Sequence, residues 1–250
     1  MSINSLILTA VLLVVPLIVS YKQKLNIEKD IIYSVIRAIV QLLIVGYLLE
    51  YIFNIKNTIA TLIIVLIMIV NAAFNTKKRG KGIDNIVLIS FISLTVGTVI
   101  TLGTLVLVHA IENTPKDMIP VGGMIVSNSM IAIGLAYMNL KSGFKENRIQ
   151  VETKLSLGAD IKLASKDIIN KSIKLAIAPS IDSAKTLGIV SLPGMMTGLI
   201  LGGTSPIIAV RFQIMVTFMI LASTSLSTII AIYMSYKNFY NDRLQIKDIE

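Results

Sequence analysis

The sequence predicts an all-α integral membrane protein with about seven transmembrane helices, and three observations carry that prediction. Hydrophobic side chains make up 54% of the 250 residues and charged side chains 15%. The mean hydropathy of +0.80 lies far above the range of soluble domains. Apolar runs of about 20 residues, the length needed to cross ~30 Å of hydrocarbon, recur along the chain. We therefore expect a single membrane domain, residues 1–250.

Seven stretches are apolar and long enough to span a bilayer. They cover residues 4–21, 32–53, 58–75, 86–111, 119–140, 176–203 and 207–235. The first has no basic region before it and is followed by further apolar chain, so we expect a retained span and no cleaved signal peptide. The fourth is rich in Gly and Thr and the fifth contains Asn128, a composition that favours packing inside a helix bundle.

Basic residues are distributed unequally between alternate loops. Eighteen Lys and Arg lie after spans one, three, five and seven, whereas the other loops hold only Lys56, Lys116 and Arg211. Cytoplasmic loops of membrane proteins are enriched in Lys and Arg. The amino terminus is therefore predicted outside, and the carboxyl terminus and residues 141–174 in the cytoplasm. The net charge of +9 has the same origin, and no basic run in a soluble domain indicates nucleic-acid binding.

Several kinds of chemistry are excluded by residue types that the chain lacks. It has no Cys, so it has neither a disulfide framework nor a thiolate metal site. Its one histidine, His109, rules out a zinc-protease motif with two His ligands. The run "GGMIVSNS" lacks the Gly-Lys-Ser/Thr ending of a phosphate-binding loop. We therefore expect no cofactor bound by this chain and no ATP hydrolysis by this chain alone.

Residues 141–174 form a charged insert between the fifth and sixth spans. Val151 and Leu155 are one helical turn apart, and the apolar pattern resumes after Gly158, which predicts two short amphipathic helices. Gly158 suits the left-handed end of the first helix, and Asp160 can cap the second. Spacing alone leaves two interpretations open, a helix pair on an anionic membrane surface and a docking element for a soluble partner.

Long motifs in this chain resemble one family of transporters. "VETKLSLGADIKLA" is followed by "LAIAPSIDSAKTLGIVSLPGMMTGLILGG" and "RFQIMVTFMILASTSLSTIIA". Together with "EKDIIYSVIRAIVQLLIVGYLLEYIF" and "NAAFNTKKRGK" nearer the amino terminus, these motifs are similar to the permease subunit of FetB-type ABC transporters. Those transporters are proposed iron exporters, and the family also resembles plant aluminium-tolerance membrane proteins. The resemblance runs along the whole chain.

The resemblance implies a permease whose ATP hydrolysis resides in a separate cytoplasmic ABC ATPase that uses ATP and Mg. It also implies two copies of the chain per transporter, alternating access, location in the cytoplasmic membrane, and iron as the substrate. In such permeases a stretch like this insert enters a groove of the ATPase. Where the general pattern has Glu-Ala-Ala, this chain has Glu152-Thr153-Lys154. The coupling candidates are Glu152, Leu155, Leu157, Gly158, Ala159 and Asp160.

Two other classes of protein remain as alternatives. The first is a secondary transporter or channel that works without an ATPase, and the second is a membrane scaffold with no transport activity. A transporter built from inverted halves should have paired Gly/Pro-broken segments in both halves. Here the breaks cluster in the last third of the chain, and the sequence has no internal repeat.

Charged residues inside the predicted spans are candidates for a gate. Asp182 lies eight residues past Lys174, and Arg37 lies seven residues past Asp30. A rise of ~1.5 Å per residue places both at a similar depth, with Lys185 one turn further along. Because isolated charges are costly in hydrocarbon, we expect a buried cluster of Arg37, Asp182 and Lys185. A purely structural ion pair is the alternative.

The predicted translocation pathway lies where the sixth span is interrupted. Pro179 and the Pro193-Gly194 step should free backbone carbonyls, which only neighbouring helices or a water-filled cavity can satisfy. The candidate lining residues here are Pro193, Gly194, Met195 and Met196. Further candidates for the polar lining are Asn71, Asn75 and Asn128. Interhelical hydrogen bonds for the asparagines and core packing for the methionines are the alternatives.

No buried His/carboxylate cluster with iron-ligand spacing is visible in the sequence. His109, Glu112 and Asp117 lie close together in sequence near the predicted outer face, as candidate metal ligands. Iron is therefore expected to pass in one of two forms. It crosses either as an ion through carbonyl, Asn/Ser and Met groups or as an anionic complex attracted by Arg37 and Lys185.

Overall fold

A computed structural model describes residues 8–54 and 58–247. Within these residues the regular elements are helices, and no β-strand forms, which confirms the predicted all-α class. Five of the described helices are long and apolar enough to cross a membrane. The chain divides into two compact units, Met1–Lys56 and Asn57–Glu250.

The first unit contains two helices joined by a tight turn. Helix α1, Val14–Lys22, follows the short 3-10 segment Ala10–Leu13. Helix α2, Glu28–Asn54, begins after a turn in which Lys24 and Asn26 have positive φ angles. The Ser20 hydroxyl donates a 2.6 Å hydrogen bond to the Glu28 carboxylate across this turn. The first half of the predicted span 4–21 lies partly outside the described residues.

The second unit contains the other seven α-helices. They are α3, Thr58–Thr76; α4, Ile86–Leu107; α5, Pro115–Glu146; α6, Arg148–Ser156; α7, Ile161–Thr186; α8, Gly194–Leu201; and α9, Pro206–Ser235. A 3-10 turn, Tyr236–Phe239, and a short tail follow α9. The predicted spans 58–75 and 207–235 match α3 and α9 within one residue at each end. Helix α4 ends at Leu107, short of the predicted residue 111.

The predicted sixth span, residues 176–203, is interrupted before Gly194, as the Pro193-Gly194 step predicts, but the break expected at Pro179 does not occur. Helix α7 begins in the predicted insert and runs without a break to Thr186, so the second insert helix and the start of the span are one element. Pro179 lies inside α7 and does not end it. The interruption comes at Gly188, where φ is 81° and the N–H bonds the Ser191 carbonyl at 3.0 Å, three residues further along the chain. The short helix α8 starts only after Pro193.

Helix α5 is the central element of the second unit. It packs against α3, α4, α7 and α9. Its side chains at Ile133, Tyr137 and Phe144 are fully buried. Two glycines permit the closest approaches, because a Cβ at Gly134 would lie 2.7 Å from Cδ of Arg79, and one at Gly143 would lie 2.6 Å from Cγ2 of Ile168. Small residues at such contacts let helix backbones approach closely in membrane proteins.

Buried hydroxyl groups link the helices around α5. The Thr76 hydroxyl of α3 donates to the Ser90 hydroxyl of α4 at 2.7 Å, and Ser90 is bonded to the Tyr137 hydroxyl of α5 at 2.9 Å. Where α4 meets α9, Gly97 lies so close to Ser227 that an added Cβ would fall 2.0 Å from the Ser227 hydroxyl oxygen. These contacts bring polar side chains together in an otherwise apolar interior.

The basic segments of the second unit lie together at one end. The Phe144 ring, near the end of α5, stacks on Phe239 of the carboxyl-terminal 3-10 turn, with ring centroids 4.6 Å apart. Lys247 of the tail pairs with Asp84 of the α3–α4 loop at 3.1 Å. The Ser165 and Tyr240 hydroxyls, from α7 and the tail, are 2.6 Å apart. The basic residues of the α3–α4 loop, the insert and the tail predict that these three segments lie on one side of the membrane. The fold brings the three segments into contact.

The approach of α4 to α9 generates a stability prediction. Gly97→Leu forces a side chain into Ser227 and should lower stability by about 1–3 kcal/mol, the usual cost of overpacking. Gly103→Leu on the same helix is the matched control, because a Cβ there meets no atom within 4 Å. Thermal unfolding of the purified protein in detergent measures the difference. Equal melting temperatures for the two variants would contradict the close contact.

Candidate functional site

The centre of the insert has the geometry that the sequence predicts. Helix α6 ends at Ser156, and Gly158 takes the left-handed conformation with φ of 91°. The Asp160 carboxylate then accepts a 2.7 Å hydrogen bond from the Leu163 N–H and caps α7. Both predicted roles, Gly158 as the helix end and Asp160 as the cap, are confirmed.

The coupling candidates differ in what they contact. Glu152 accepts a 2.9 Å hydrogen bond from Arg148 Nε one turn earlier on α6. Leu155 packs against the buried core, which fixes α6 on the rest of the unit. Leu157 is 83% exposed, and Ala159 is partly buried. An exposed leucine at the turn between two anchored helices is available for contact with another protein.

A cavity of about 880 Å³ lies between α6 and the carboxyl-terminal tail. Its walls include the coupling candidates Glu152, Leu155 and Ala159. The tail contributes a turn in which Asn241 N–H bonds the Gln245 carbonyl at 2.9 Å. The insert and the tail therefore form one surface at the basic end of the unit.

A second cavity, of about 440 Å³, lies among α5, α7, α8 and α9 and is called here the central cavity. The structure brings four predicted pathway residues to its wall. They are Asn128, Pro193, Gly194 and Met195. Met196, the next residue, does not line it.

The central cavity is mainly apolar, with oxygen and sulfur atoms at a few positions. Asn128 donates its amide N–H to the Met124 carbonyl at 2.8 Å, which leaves its own side-chain oxygen available. Gln213 of α9 also lines the cavity, and its Oε1 atom is buried without a hydrogen-bond partner within residues 8–54 and 58–247. An unsatisfied buried carbonyl oxygen is costly and points to a ligand or water that completes it. Met124 and Met195 add thioether sulfurs.

Other predicted pathway residues lie away from this cavity. Asn75 donates 3.0 Å hydrogen bonds to the backbone and side-chain oxygens of Asn71 on the same exposed stretch of α3. Asp182 and Lys185 pair with each other at 3.0 Å on α7, and both side chains are 69% exposed. The expected contact of Asp182 with Arg37, which belongs to α2 of the first unit, stays a prediction.

The candidate metal ligands near the α4–α5 loop do not form a metal site. The Asp117 carboxylate accepts a 3.0 Å hydrogen bond from the Glu112 backbone N–H, so it serves the start of α5. His109 lies in the turn after α4 with φ of 53°. Within the described part of the chain, no three His, Asp or Glu side chains are grouped as metal ligands.

Two functional candidates in the structure were not predicted from the sequence. Gln213 is the single side-chain amide of the predicted span 207–235, and a strongly polar residue inside a span is itself a signal of a site. The second is an ion pair of 2.7 Å between Lys154 of α6 and Asp167 of α7, thirteen positions apart in sequence. No periodicity links those two residues, because the turn at Gly158 sets their approach.

Helices of spanning length, a basic end with an exposed turn at Leu157, and a cavity inside the bundle define a helical multi-pass membrane protein. The model of the family described as "Uncharacterised protein family (UPF0014)" matches residues 3–240, and the chain belongs to this family. The resemblance to FetB-type proteins is confirmed.

Three relatives cover nearly all of the chain. "Probable iron export permease protein FetB" of Escherichia coli (strain K12) is 51% identical over 97% of this chain and 94% of its own length. "UPF0014 membrane protein YjkA" of Bacillus subtilis (strain 168) is 37% identical over 98% of both. "Protein ALUMINUM SENSITIVE 3" of Arabidopsis thaliana is 34% identical over 95% of this chain and 87% of its own. No solved structure matches the chain.

The Asp160 cap can be tested directly. Asp160→Ala removes the acceptor for the Leu163 N–H and should weaken the first turn of α7 by ~0.5–2 kcal/mol. Asp160→Ser retains a capping oxygen and is the matched control. Hydrogen–deuterium exchange of Ile161–Ala164 should accelerate in the alanine variant only. Identical exchange in both variants would mean that the cap does not hold this turn.

Proposed function

We propose that the chain is the permease subunit of an ATP-driven ABC transporter that exports iron from the cytoplasm, as an ion or a complex. The observation that carries the proposal is the 51% identity, over 97% of the chain, with a protein named as an iron export permease. This activity would contribute to iron homeostasis and to resistance against oxidative stress. The chain would work in the cytoplasmic membrane, as two copies with two ATPase subunits.

The insert supports a mechanical link to a separate ATPase. The exposed turn at Leu157 and Gly158 joins α6, which is anchored on the core through Leu155 and the buried Val151, to α7. Force applied to this turn by the ATPase would move α7 as a rigid rod, because α7 is a continuous helix of 26 residues. The far end of α7 forms a wall of the central cavity. ATP binding by an ATPase docked at the insert would therefore act on the cavity.

The central cavity supports a site for a metal that binds weakly and leaves readily. Its lining includes neutral donor atoms only, among them the amide oxygens of Asn128 and Gln213, the sulfurs of Met124 and Met195, and the hydroxyls of Ser180, Ser183 and Thr217. Neutral oxygen and thioether ligands bind a borderline cation less strongly than carboxylate or thiolate ligands do. An exporter needs such a site, because the substrate has to be released on the far side.

The coupling role is tested at Gly158, whose positive φ favours glycine or asparagine. Gly158→Leu should distort the turn and lower ATP-driven iron transport in inverted vesicles at least fivefold while the chain remains inserted. Gly158→Asn is the matched control and should retain transport, since Asn tolerates this conformation. Glu152→Lys should likewise reduce co-purification with the ATPase. Full transport and full co-purification with the ATPase in both Gly158→Leu and Glu152→Lys would show that the insert is not the docking element.

The substrate role of the central cavity is tested at Gln213. Gln213→Leu removes the buried, unpartnered oxygen and should lower the rate of ATP-dependent Fe²⁺ uptake into inverted vesicles roughly tenfold, the effect of losing one interaction of ~1.4 kcal/mol. Gln213→Glu keeps the oxygen and adds a negative charge, so it should retain transport of a cation and impair transport of an anionic complex.

The iron assignment itself has a separate test in cells. Cells that lack the permease and its ATPase should accumulate iron and become more sensitive to iron and to peroxide. Unchanged iron content together with unchanged sensitivity would refute iron as the substrate. Uptake by vesicles without the ATPase would instead favour a secondary transporter or channel.

A further inference from the structure

On α5, the residues that line the central cavity extend as far as Leu135. One helical turn further along the same face of α5, a third cavity of about 370 Å³ begins at Asn139 and reaches the base of the insert. This third cavity is called here the mouth. The residues of α5 that line the two cavities recur at intervals of three or four positions. They are Met124, Asn128, Ile131 and Leu135 at the central cavity and Asn139, Ser142 and Glu146 at the mouth.

Helix α7 forms the opposite wall of both cavities with the same regularity. Its lining residues recur at every fourth position. They are Asp167, Lys171 and Leu175 at the mouth, then Pro179 and Ser183 at the central cavity. Each step of four residues turns ~40° around a helix, so this lining forms a stripe that winds along α7 from the mouth to the central cavity. Both cavities have α5 and α7 as walls and follow each other along these helices, and together they are called here the α5–α7 groove.

The groove changes its chemistry along its length. The mouth, next to the basic end of the unit, is lined by Asn139, Ser142, Glu146 and Ser172 among other residues, so it is polar. The central cavity is mainly apolar and contains no charged side chain among its lining residues. A cation would thus meet carboxylates first and neutral oxygen and sulfur atoms afterwards. This order suits capture from water followed by weaker binding inside the membrane.

The charge of the mouth depends on a residue of the insert. The lining side chains include two carboxylates, Glu146 and Asp167, and one ammonium group, Lys171. Lys154 reaches across from α6 and places its Nζ atom 2.7 Å from Asp167 Oδ2. With Lys154 in place the four charges cancel, and without it the mouth carries one net negative charge.

The Lys154–Asp167 pair contributes little to the stability of the fold, since its side chains are 31% and 73% exposed. The hydrogen bond and the charge of Lys154 lower the pKa of Asp167, which keeps this carboxyl group ionised while the pair is formed. Along the chain, every coupling candidate lies less than two helical turns from Lys154, either on α6 or at the exposed turn. A displacement of α7 relative to α6 would therefore change the distance between the Lys154 ammonium group and Asp167.

We propose that the α5–α7 groove is the cytoplasmic entrance for a metal cation and that Lys154 is a tethered competitor which occupies Asp167 until the insert moves. The proposal rests on the proposed transport function and adds a route and a control element to it. Lys154 is a positioning residue and does not touch the substrate. Withdrawal of its ammonium group exposes Asp167, and the mouth becomes attractive to a divalent cation.

Transport kinetics test the competition between Lys154 and the metal. In inverted vesicles that contain the chain and its ATPase, Lys154→Met should lower the KM for Fe²⁺ about fivefold, the effect of one unit charge close to the site. Asp167→Asn should raise the KM by a similar factor. Lys162→Met is the matched control, because Lys162 is an exposed lysine of the insert region that does not line the mouth and makes no ion pair in the described structure.

The directions of these shifts separate the proposal from a structural ion pair. If the pair is only structural, Lys154→Met and Asp167→Asn should both reduce transport. Lys154→Arg should then behave as wild type in every assay. An anionic iron complex as substrate would reverse both shifts. Either result overturns the cation entrance. Absence of ATP-dependent uptake by the wild-type protein contradicts the proposed function, and the following measurement on the chain alone then decides the inference.

Thiol labelling measures the charge of the mouth without iron or ATPase. Because the chain has no Cys, Ser142→Cys places a single thiol in the mouth. The ratio of its labelling rates with cationic and anionic methanethiosulfonate reagents should rise severalfold on adding Lys154→Met and fall on adding Asp167→Asn. Asn113→Cys, in the loop after α4, is the control site and should keep a constant ratio. A constant ratio at Ser142→Cys as well would overturn the proposal.

Discussion

The packing of α5 against four other helices is the constraint on which the second unit depends. Inside a membrane the hydrophobic effect does not drive helices together, so close van der Waals contact and hydrogen bonds between side chains have to do so. Helix α5 meets this requirement with glycines where Arg79 and Ile168 approach and with Tyr137, which is hydrogen-bonded to Ser90. The central cavity, the mouth and the base of the insert all adjoin this helix. Their relative positions are therefore fixed by the rigid part of the unit.

Helix α7 has the complementary role, because one continuous helix belongs to both the insert and the bundle. It begins at the Asp160 cap beside the exposed turn and ends at Thr186 beside the central cavity. If the coupling proposal is correct, no additional linker is required between the ATPase contact and the substrate route. A rigid helix transmits displacement over its whole length, whereas two short helices joined by a loop would absorb it.

The sequence predicted helix ends and caps correctly where neighbouring residues decide them. Gly158 and Asp160 have the predicted conformations because a helix end and a helix cap are decided within a few residues. The bounds of α3 and α9 follow from the length of their apolar runs. In the sixth span the break expected at Pro179 was wrong, since this proline lies inside α7 and the chain turns at Gly188, which hydropathy does not mark. His109, Glu112 and Asp117 are close in sequence, but within residues 8–54 and 58–247 no three such side chains are grouped as metal ligands, because proximity in sequence does not ensure convergence of side chains.

The sequence by itself determined the all-α membrane class and the family and predicted which loops share one side, because composition, motif and charge bias are properties of the linear chain. The tertiary structure alone decided that Asn128, Met195 and Gln213 line one cavity and that Lys154 faces Asp167. These residues lie on different helices, and their meeting depends on helix rotation and on close packing around α5. A few degrees of helix rotation change which residue faces a cavity, and such rotation is set by contacts between residues far apart in the chain.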